Sequence, residues 1–486
     1  MIYKLRPYQE ECVKSISDYI NSDRHDPVLI VGPVGCGKSL LIAEAARLMG
    51  DKTLILQPSK ELLQQNHDKI TSYGIPATIY SASCGKKELS NMIYATLGSI
   101  NKVVDKLKEM GIRNVLIDEA HAGYSPEDGS EFMTFMNELK PKKVIGFTAT
   151  PCRLKTMSIG QVSYSQLNFI TRMRPVYFKN LIHVIQVEEM IRQGFWTPLK
   201  YETWDFNGDA LKLNSNGSEY TAESISEAVR KNGLNNLILR RLMVLKDVCR
   251  SILVFMDSVE SCNTAAEWMN AKICAGMAEV VHGGTPKRQR EAIVERFKSG
   301  GTQVVFNYSA LGTGFDHPGL DCVVFGRPTF SFSTWYQAIG RAVRIKDGKD
   351  SAMVVDCCDN SSRFGDIRGL SIENYKGYGW GMFIDDKLIT NIPMGDKVTK
   401  TDLDIKAAKK DRRRGLAQGV TAAPIPGRPP HPLGSTVMAF GKYSGWMLHS
   451  IPVSYFKFIN ETFDWDNDRN KDIKEYIDFL IKNNRL

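Results

Sequence analysis

The feature that most constrains this chain is a glycine pattern between residues 32 and 39. Residues 28–39 read V-L-I-V-G-P-V-G-C-G-K-S, so an apolar run ends at Gly32 and the pattern G-x-x-x-x-G-K-S begins there. The next residues, L-L-I-A-E-A-A-R-L-M, carry apolar side chains at helical spacing. A strand, a glycine loop and a helix in this order are the context of a nucleotide phosphate loop. This context predicts an α/β domain whose strand ends at the loop.

The loop predicts contacts with phosphate groups and with a metal ion. Glycines let the backbone turn its N–H groups onto phosphates, and the positive end of the following helix adds to the attraction. Lys38 is expected to reach the β- and γ-phosphates, and Ser39 is expected to bind magnesium. ATP and Mg²⁺ are therefore the predicted cofactors. The loop residues predicted to bind them are Gly32, Gly35, Gly37, Lys38, Ser39 and Leu40.

Two adjacent carboxylates follow a second apolar run, because residues 115–121 read V-L-I-D-E-A-H. By itself, a charged pair at a strand end is most often only the polar end of a strand. A phosphate loop changes that interpretation, since an ATPase needs a second strand that ends in an acid. Asp118 is predicted to hold the magnesium ion through water, and Glu119 to orient and deprotonate the attacking water.

Further strands predict which kind of α/β domain this is. Residues 54–62 and 143–151 are apolar runs with polar ends, and residues 96–100, T-L-G-S-I, form a short turn. Their alternation with helical stretches over residues 25–155 predicts a doubly wound parallel sheet. Polar strand ends in such a sheet line a ligand crevice.

A second α/β pattern begins near residue 250 and has no phosphate loop of its own. Residues 333–344 read S-T-W-Y-Q-A-I-G-R-A-V-R, which places Gln337, Arg341 and Arg344 on one predicted helical face. Two arginines beside a small Gly340 suit a clamp on developing phosphate charge. The alternative is a solvated basic face. The strands of this second pattern are predicted within residues 251–258, 278–284, 302–308 and 321–328.

Composition limits the other possibilities. No stretch approaches the ~20 apolar residues of a membrane span, and the first residues, M-I-Y-K-L-R, lack a signal sequence. The ten cysteines form no Cys-x-x-Cys pair, so reduced, mostly buried thiols are expected rather than a zinc site. The net charge of +9 suits a polyanionic partner without requiring one. We expect a cytoplasmic protein with no membrane partner.

The motifs and their order resemble those of superfamily 2 nucleic-acid helicases of the DEAH-box type, and within them RadD-like DNA-repair helicases. The resemblance extends over roughly residues 1–360. It implies two tandem RecA-like domains and a bacterial or phage-infected host cell. The matching segments are L-R-P-Y-Q (5–9), G-P-V-G-C-G-K-S (32–39), Q-P-S-K-E-L (57–62), D-E-A-H (118–121), F-T-A-T-P-C-R (147–153), A-L-G-T-G-F-D-H-P (310–318) and Y-Q-A-I-G-R-A-V-R (336–344).

The resemblance also implies roles for single residues. Gln9 resembles the glutamine that reads the adenine base, with Arg6 beside it. Gln337, Arg341 and Arg344 resemble the final motif, in which the two arginines are arginine-finger candidates. The implied couplers between hydrolysis and nucleic acid are His121, Thr148 and Thr150, and the implied nucleotide-state sensors are Gly314 and Asp316. The implied nucleic-acid contacts are Pro58, Ser59, Lys60, Gly98, Ser99, Ala310 and Thr313.

The predicted domain plan ends in a region that departs from the repair family, because no cysteine follows residue 360. The last segment resembles a small domain of unknown function in phage and bacterial nucleic-acid enzymes. Its Lys442, Tyr443 and Trp446 are either DNA contacts or core residues. The plan is a first RecA-like domain (1–155), an irregular linking segment (156–235), a second RecA-like domain (236–360), a basic and Pro/Gly-rich linker (361–433) and an α+β module (434–486).

These patterns leave three candidate functions. The first is an ATP-dependent DNA helicase or translocase that remodels forked or branched DNA. The second is an RNA helicase or an RNA-stimulated ATPase, because backbone contacts carry no base identity. The third is a clamp that hydrolyses ATP without unwinding and recruits a protein partner through the C-terminal module. In each of the three, a monomer is expected.

Overall fold

The computed structural model describes residues 4–50, 52–159, 162–215, 217–310, 317–376, 378–407 and 432–436, then 438, 443, 447–462, 470–483 and 486. The chain divides into two compact units. The first contains residues 1–375 and 379–399, and the second contains residues 376–378 and 400–486. Each unit is described by itself.

The first core of the larger unit is a sheet in the order β10-β1-β7-β6-β2-β5-β3-β4, parallel except for the pair β3 and β4. Most of its strands are apolar and fully buried, as expected for a sheet covered on both faces. The strands are β1 Val28–Val31, β2 Thr53–Leu56, β3 Thr78–Ser81, β4 Lys86–Lys87, β5 Met92–Ala95, β6 Asn114–Ile117, β7 Lys143–Thr148 and, later in the chain, β10 Asn180–Val184. The helices are α1 Pro7–Asn21, α2 Lys38–Met49, α3 Lys60–Ser72, α4 Leu97–Ile100, α5 Val104–Glu109, α6 Glu131–Leu139 and α7 Val187–Arg192.

The second core is an all-parallel sheet in the order β11-β16-β15-β12-β14-β13. Two tandem RecA-like α/β domains are thus present, as the sequence predicts. The strands are β11 Leu199–Thr203, β12 Ile252–Phe255, β13 Ala278–His282, β14 Val304–Tyr308, β15 Cys322–Phe325 and β16 Ala352–Asp356. The helices are α8 Ala222–Lys231, α9 Leu234–Val248, α10 Val259–Lys272, α11 Lys287–Ser299, α12 Phe332–Ala342 and α13 Asn360–Phe364.

The segment expected to be irregular, residues 156–235, contains regular elements. Strands β8 Cys152–Ile159 and β9 Val162–Phe169 form an antiparallel hairpin that begins just before this segment and continues into it. Strand β10 extends the first sheet beside β1. Strand β11 then extends the second sheet beside β16. Strands β10 and β11 have five residues each, and both pair with strands distant in the chain, which a local pattern does not reveal.

The segment expected to be a linker, residues 361–433, also contains a sheet. Strands β17 Leu370–Tyr375, β18 Gly379–Ile384, β19 Lys387–Leu388 and β20 Val398–Thr399 form an antiparallel meander. The chain after β19 then pairs with the hairpin, because the Asn391 N–H donates to the Leu167 carbonyl at 2.7 Å and the Met394 N–H to the Ser165 carbonyl at 2.8 Å. Residues 408–431 lie outside the described residues.

The smaller unit has its own apolar core. Helices Val453–Thr462 and Lys471–Lys482 contribute most of it, including Phe456 and Tyr476. Tyr443 packs edge-on against Tyr455 with ring centroids 4.8 Å apart, which favours the core interpretation of this residue. Lys442 and Trp446 lie outside the described residues, and the α+β character of this module stays a prediction.

Two expectations from composition can be compared with the structure. All ten cysteines are free thiols, and eight of them are buried, as predicted. Within the described part of the chain, no helix combines the length and the apolar character that crossing a membrane requires.

Candidate active site

The phosphate loop lies between β1 and α2, and its glycines are needed for geometric reasons. Gly35 and Gly37 have φ angles of 81° and 82°, which L side chains rarely adopt. A Cβ atom on Gly32 would lie 2.7 Å from Cys36 Sγ, and one on Gly37 would lie 2.6 Å from Gln9 Nε2. A larger side chain at either glycine would therefore clash, and the loop backbone would have to move.

Helix α1 meets this loop on the side expected for the base. Gln9 is buried; its Nε2 donates to the Cys36 carbonyl at 2.9 Å, and its Oε1 accepts from the Arg6 N–H at 3.0 Å. The Arg6 guanidinium lies 4.4 Å from the centre of the Phe195 ring and donates to the Tyr8 hydroxyl at 3.1 Å. The structure thus brings the predicted base-reading residues to the loop and adds Phe195.

The carboxylates lie opposite the loop lysine. Strand β6 ends at Ile117, and Glu119 follows with φ 46°, so the chain turns sharply at the pair. Lys38 Nζ is 3.5 Å from Glu119 Oε1. Asp118 is buried, and its Oδ1 accepts from the Glu119 N–H at 2.9 Å.

The charges of this group are strongly coupled. Burial and the neighbouring Glu119 carboxylate raise the pKa of Asp118 to about 7. Burial alone would lower the pKa of Lys38, but the charges around it, led by Glu119, outweigh burial and raise this pKa. A nearby cation stabilises the ionised form of a buried carboxylate such as Asp118. Asp118, with the Ser39 hydroxyl, therefore fits a magnesium ion, which takes one or two protein oxygens and substrate phosphates.

His121 connects this group to the second core. Its Nδ1 lies 2.8 Å from Thr148 Oγ1 and 3.4 Å from Glu119 Oε2, and its Nε2 lies 3.5 Å from Ser333 Oγ in α12. Burial lowers the pKa of His121 to about 4, so the ring is neutral near pH 7. Thr150 joins the same cluster, because its N–H donates to Thr148 Oγ1 at 3.0 Å.

Arg153, at the start of the hairpin, holds the turn that carries His121. Its Nε donates to the His121 carbonyl at 2.6 Å, and its second terminal nitrogen donates to the Tyr124 carbonyl at 2.5 Å. The sequence motif includes this arginine, but no role follows from it there.

Helix α12 of the second core packs directly on the phosphate loop. A Cβ atom on Gly340 would lie 2.3 Å from Val34 Cγ2, so only glycine permits this approach. The close approach expected at Gly340 is therefore present, and the partner is the phosphate loop itself.

The two arginines do not lie on one helical face, which corrects the expectation from spacing. Helix α12 ends at Ala342, so Arg344 lies beyond it, whereas Gln337 and Arg341 are within it. The Arg341 guanidinium donates to the Gln337 carbonyl at 3.0 Å. Burial lowers the pKa of Arg341 to about 10 and also lowers that of Arg344.

The connection between the cores also contacts the site. Trp196 Nε1 donates to the Val34 carbonyl at 3.0 Å, and Thr197 Oγ1 donates to the Arg344 carbonyl at 2.9 Å. In the sequence, residues 195–199 read F-W-T-P-L. The signal in the sequence that could have indicated these contacts is a tryptophan and a threonine next to a proline.

The predicted nucleic-acid contacts lie at strand ends. Ser59 caps α3 by accepting from the Leu62 N–H at 3.3 Å, with Pro58 before it and Lys60 opening the helix. Ser99, next to Gly98 in α4, accepts from the Ala82 N–H at 3.0 Å. Ala310 follows β14. Thr313, Gly314 and Asp316 lie outside the described residues.

Leu40 completes the set of predicted loop residues. It lies in the first turn of α2, where its N–H donates to the Gly37 carbonyl at 2.9 Å.

Comparisons with known proteins agree with this architecture. Residues 2–153 match the family described as the res subunit of Type III restriction enzymes, and residues 235–346 match the helicase conserved C-terminal domain. A Saccharomyces cerevisiae protein named as a putative ATP-dependent helicase, IRC3, is 25% identical over 57% of this chain and 38% of that protein. A 51.5 kDa protein of a Lactococcus phage is 24% identical over 68% of this chain and 65% of that protein.

A solved structure supports the fold. The ATP-dependent Type ISP restriction-modification enzyme LlaBIII, solved bound to DNA, has a TM-score of 0.53 and 15% identity over 74% of this chain and 28% of that chain. The chain spans less than two thirds of the length of each of these three proteins. The fold and the two family matches together show that the chain carries the two-domain core of the superfamily 2 helicases.

Proposed function

We propose that this protein hydrolyses ATP in the cleft between its two RecA-like cores and uses that hydrolysis to move on or remodel DNA. The observation that carries the proposal is the packing of α12 on the phosphate loop, with Gly340 against Val34. Groups from both cores thereby converge on one loop, which a nucleotide-driven motor requires.

Each core has a separate part in the proposed reaction. Lys38 and the loop N–H groups bind the β- and γ-phosphates, and Arg6 and Gln9 hold the base end. Glu119 accepts the proton of the attacking water, since its carboxylate is 3.5 Å from Lys38 and 3.4 Å from the neutral His121. Magnesium, when bound at Ser39 and Asp118, supplies neutralisation of phosphate charge.

The second core supplies the remaining charge. Arg341 is buried and Arg344 is partly buried, and the lowered pKa values of both guanidinium groups reflect the cost of removing their charges from water. A phosphate group that gains negative charge offsets this cost, which is the action of an arginine finger. A continuous set of polar contacts connects Thr148, His121 and Ser333. Through these contacts, a change at the bound nucleotide is passed from the first core to the second.

DNA is the proposed partner, with contacts at Pro58–Lys60, Gly98–Ser99 and Ala310–Thr313. Support comes from the DNA-bound restriction enzyme of similar fold. RNA is the alternative partner, because N–H groups and small hydroxyls contact phosphates without reading bases. A clamp that recruits a partner through the smaller unit is the third possibility, and it predicts hydrolysis without strand displacement.

The test is ATP hydrolysis at one low salt concentration with no nucleic acid, single-stranded DNA, duplex DNA, forked DNA and RNA. The proposal predicts the largest stimulation with forked or single-stranded DNA, and displacement of a labelled strand from the fork. Stimulation by RNA alone would replace the DNA assignment. Stimulation without displacement, unchanged when residues 400–486 are removed, would refute the motor and the clamp together.

A further inference from the structure

One buried amide joins the proposed magnesium residue to the first proposed nucleic-acid turn. Asn66, in α3, is 4% exposed. Its Nδ2 donates to Asp118 Oδ2 at 2.9 Å and to Gln57 Oε1 at 3.1 Å. An amide NH₂ has two hydrogens, so both are used by these two acceptors.

The acceptor Gln57 lies immediately before the turn. It follows β2, and Pro58, Ser59 and Lys60 come next, with Ser59 capping α3. Asn66 lies on the same helix, about two turns after Ser59, and therefore on the same face. A displacement of the turn moves the helix end, Gln57 and Asn66 together.

The Gln57 side chain also has an unused donor. It is 1% exposed, and no acceptor among the described residues lies within hydrogen-bonding distance of its Nε2. A buried donor without an acceptor is costly, and such groups call for an explanation. A second arrangement of the turn, in which this amide finds an acceptor, removes that cost.

We propose that Asn66 is a positioning residue that couples binding of a nucleic-acid strand at Pro58–Lys60 to the placement of Asp118. The inference rests on the proposed function, because it assumes that this turn contacts the strand. Strand binding shifts α3 and Gln57, and the Asn66 amide passes that shift to the Asp118 carboxylate. Hydrolysis then depends on the strand without any direct contact between the two sites.

The test measures the ratio of ATP hydrolysis with and without an oligo-dT strand or an RNA strand. Asn66→Leu and Gln57→Met remove the amides while they keep most of the side-chain volume. We expect each variant to reduce the ratio by about tenfold, a typical coupling between two sites. Gln64→Ala is the matched control on α3, since Gln64 is only partly buried and its side chain bonds to Asp68 on the helix surface, and its ratio should equal that of the wild type.

The double variant separates coupling from general damage. If the two amides act through one contact chain, Asn66→Leu with Gln57→Met should reduce the ratio no further than the stronger single variant. A purely structural role would lower the melting temperature and both rates while leaving the ratio unchanged. Because Gln57→Met is an independent variant, it tests the coupling even when Asn66→Leu does not fold.

The outcomes are distinct. A wild-type ratio of one with every nucleic acid would refute the proposed function, and the inference with it. A stimulated wild type whose ratio is unchanged in both single variants would refute the inference alone. Independent, multiplying losses in the double variant would also refute it.

Discussion

The catalytic edge of the first core and α12 of the second core both meet the phosphate loop, but they contribute different things. The first core brings charges that compensate one another, with Lys38 3.5 Å from Glu119. The second core brings a close backbone contact at Gly340 and two arginines whose pKa values burial lowers. The paired charges of the first core can hold a nucleotide throughout the reaction. The arginines, whose charges are partly removed from water, are stabilised most when negative charge develops on the phosphate.

Under the proposed function, this difference assigns nucleotide binding and part of catalysis to the first core, and a part in catalysis alone to the second. Changes in the first core should weaken nucleotide binding as well as hydrolysis. Changes in α12 and its contacts should leave binding nearly intact and reduce hydrolysis, because they act on closure.

Lys38→Ala should give the largest loss, because it removes the phosphate-binding cation and leaves Glu119 without its compensating charge. We expect hydrolysis to fall by about a thousandfold or more, together with a weaker affinity for ATP. Steady-state hydrolysis and titration with a fluorescent nucleotide measure the two effects. Lys108→Ala, which changes an exposed lysine of α5, is the control. A fully active Lys38→Ala protein would contradict the site.

Gly340→Ala should disrupt the contact between α12 of the second core and the phosphate loop. Its Cβ would lie 2.3 Å from Val34 Cγ2, so α12 must move off the loop. We expect a loss of hydrolysis on the order of a hundredfold, with nucleotide affinity little changed. Single-turnover hydrolysis and nucleotide titration measure this split.

Two further variants sharpen that result. Val34→Gly combined with Gly340→Ala removes the Val34 side chain that the new methyl group would meet, and it should recover part of the rate. Gly283→Ala is the matched glycine control, since a Cβ there meets nothing within 4 Å. If Gly340→Ala hydrolyses ATP as fast as the wild type, the contact has no part in catalysis.

Trp196→Phe should have the smallest effect. It keeps an aromatic ring but removes the donor to the Val34 carbonyl, which is 3.0 Å from Trp196 Nε1. The loss of one such hydrogen bond corresponds to about a fivefold change, expected in kcat rather than in KM. Trp268→Phe, at an exposed tryptophan, should leave both constants unchanged. A change in KM alone would assign Trp196 to nucleotide binding.

The sequence predicts which groups of the first core lie close together, because these groups follow strands of one parallel sheet. Lys38, Asp118 and Thr148 each come at or soon after the end of an apolar run, and the carboxyl ends of such strands meet at one edge. Local pattern and spatial neighbourhood therefore agree. The same logic identifies both α/β cores.

What the sequence does not predict depends on contacts between distant segments. Asn66 is one polar residue in an ordinary amphipathic helix until the fold places it beside Asp118. Strand β10 depends on a partner far along the chain, because it pairs with β1. The position of Arg344 beyond the end of α12 depends on where the helix stops, and helix ends are the least predictable part of a pattern.

The central claim is that the second core supplies charge to a nucleotide bound by the first. The most direct measurement compares Arg344→Ala with the wild type in nucleotide affinity and in single-turnover ATP hydrolysis. We predict nearly unchanged affinity and a loss of hydrolysis of about a thousandfold, as for an arginine finger. An unchanged rate, or a loss of affinity as large as the loss of rate, would contradict the claim.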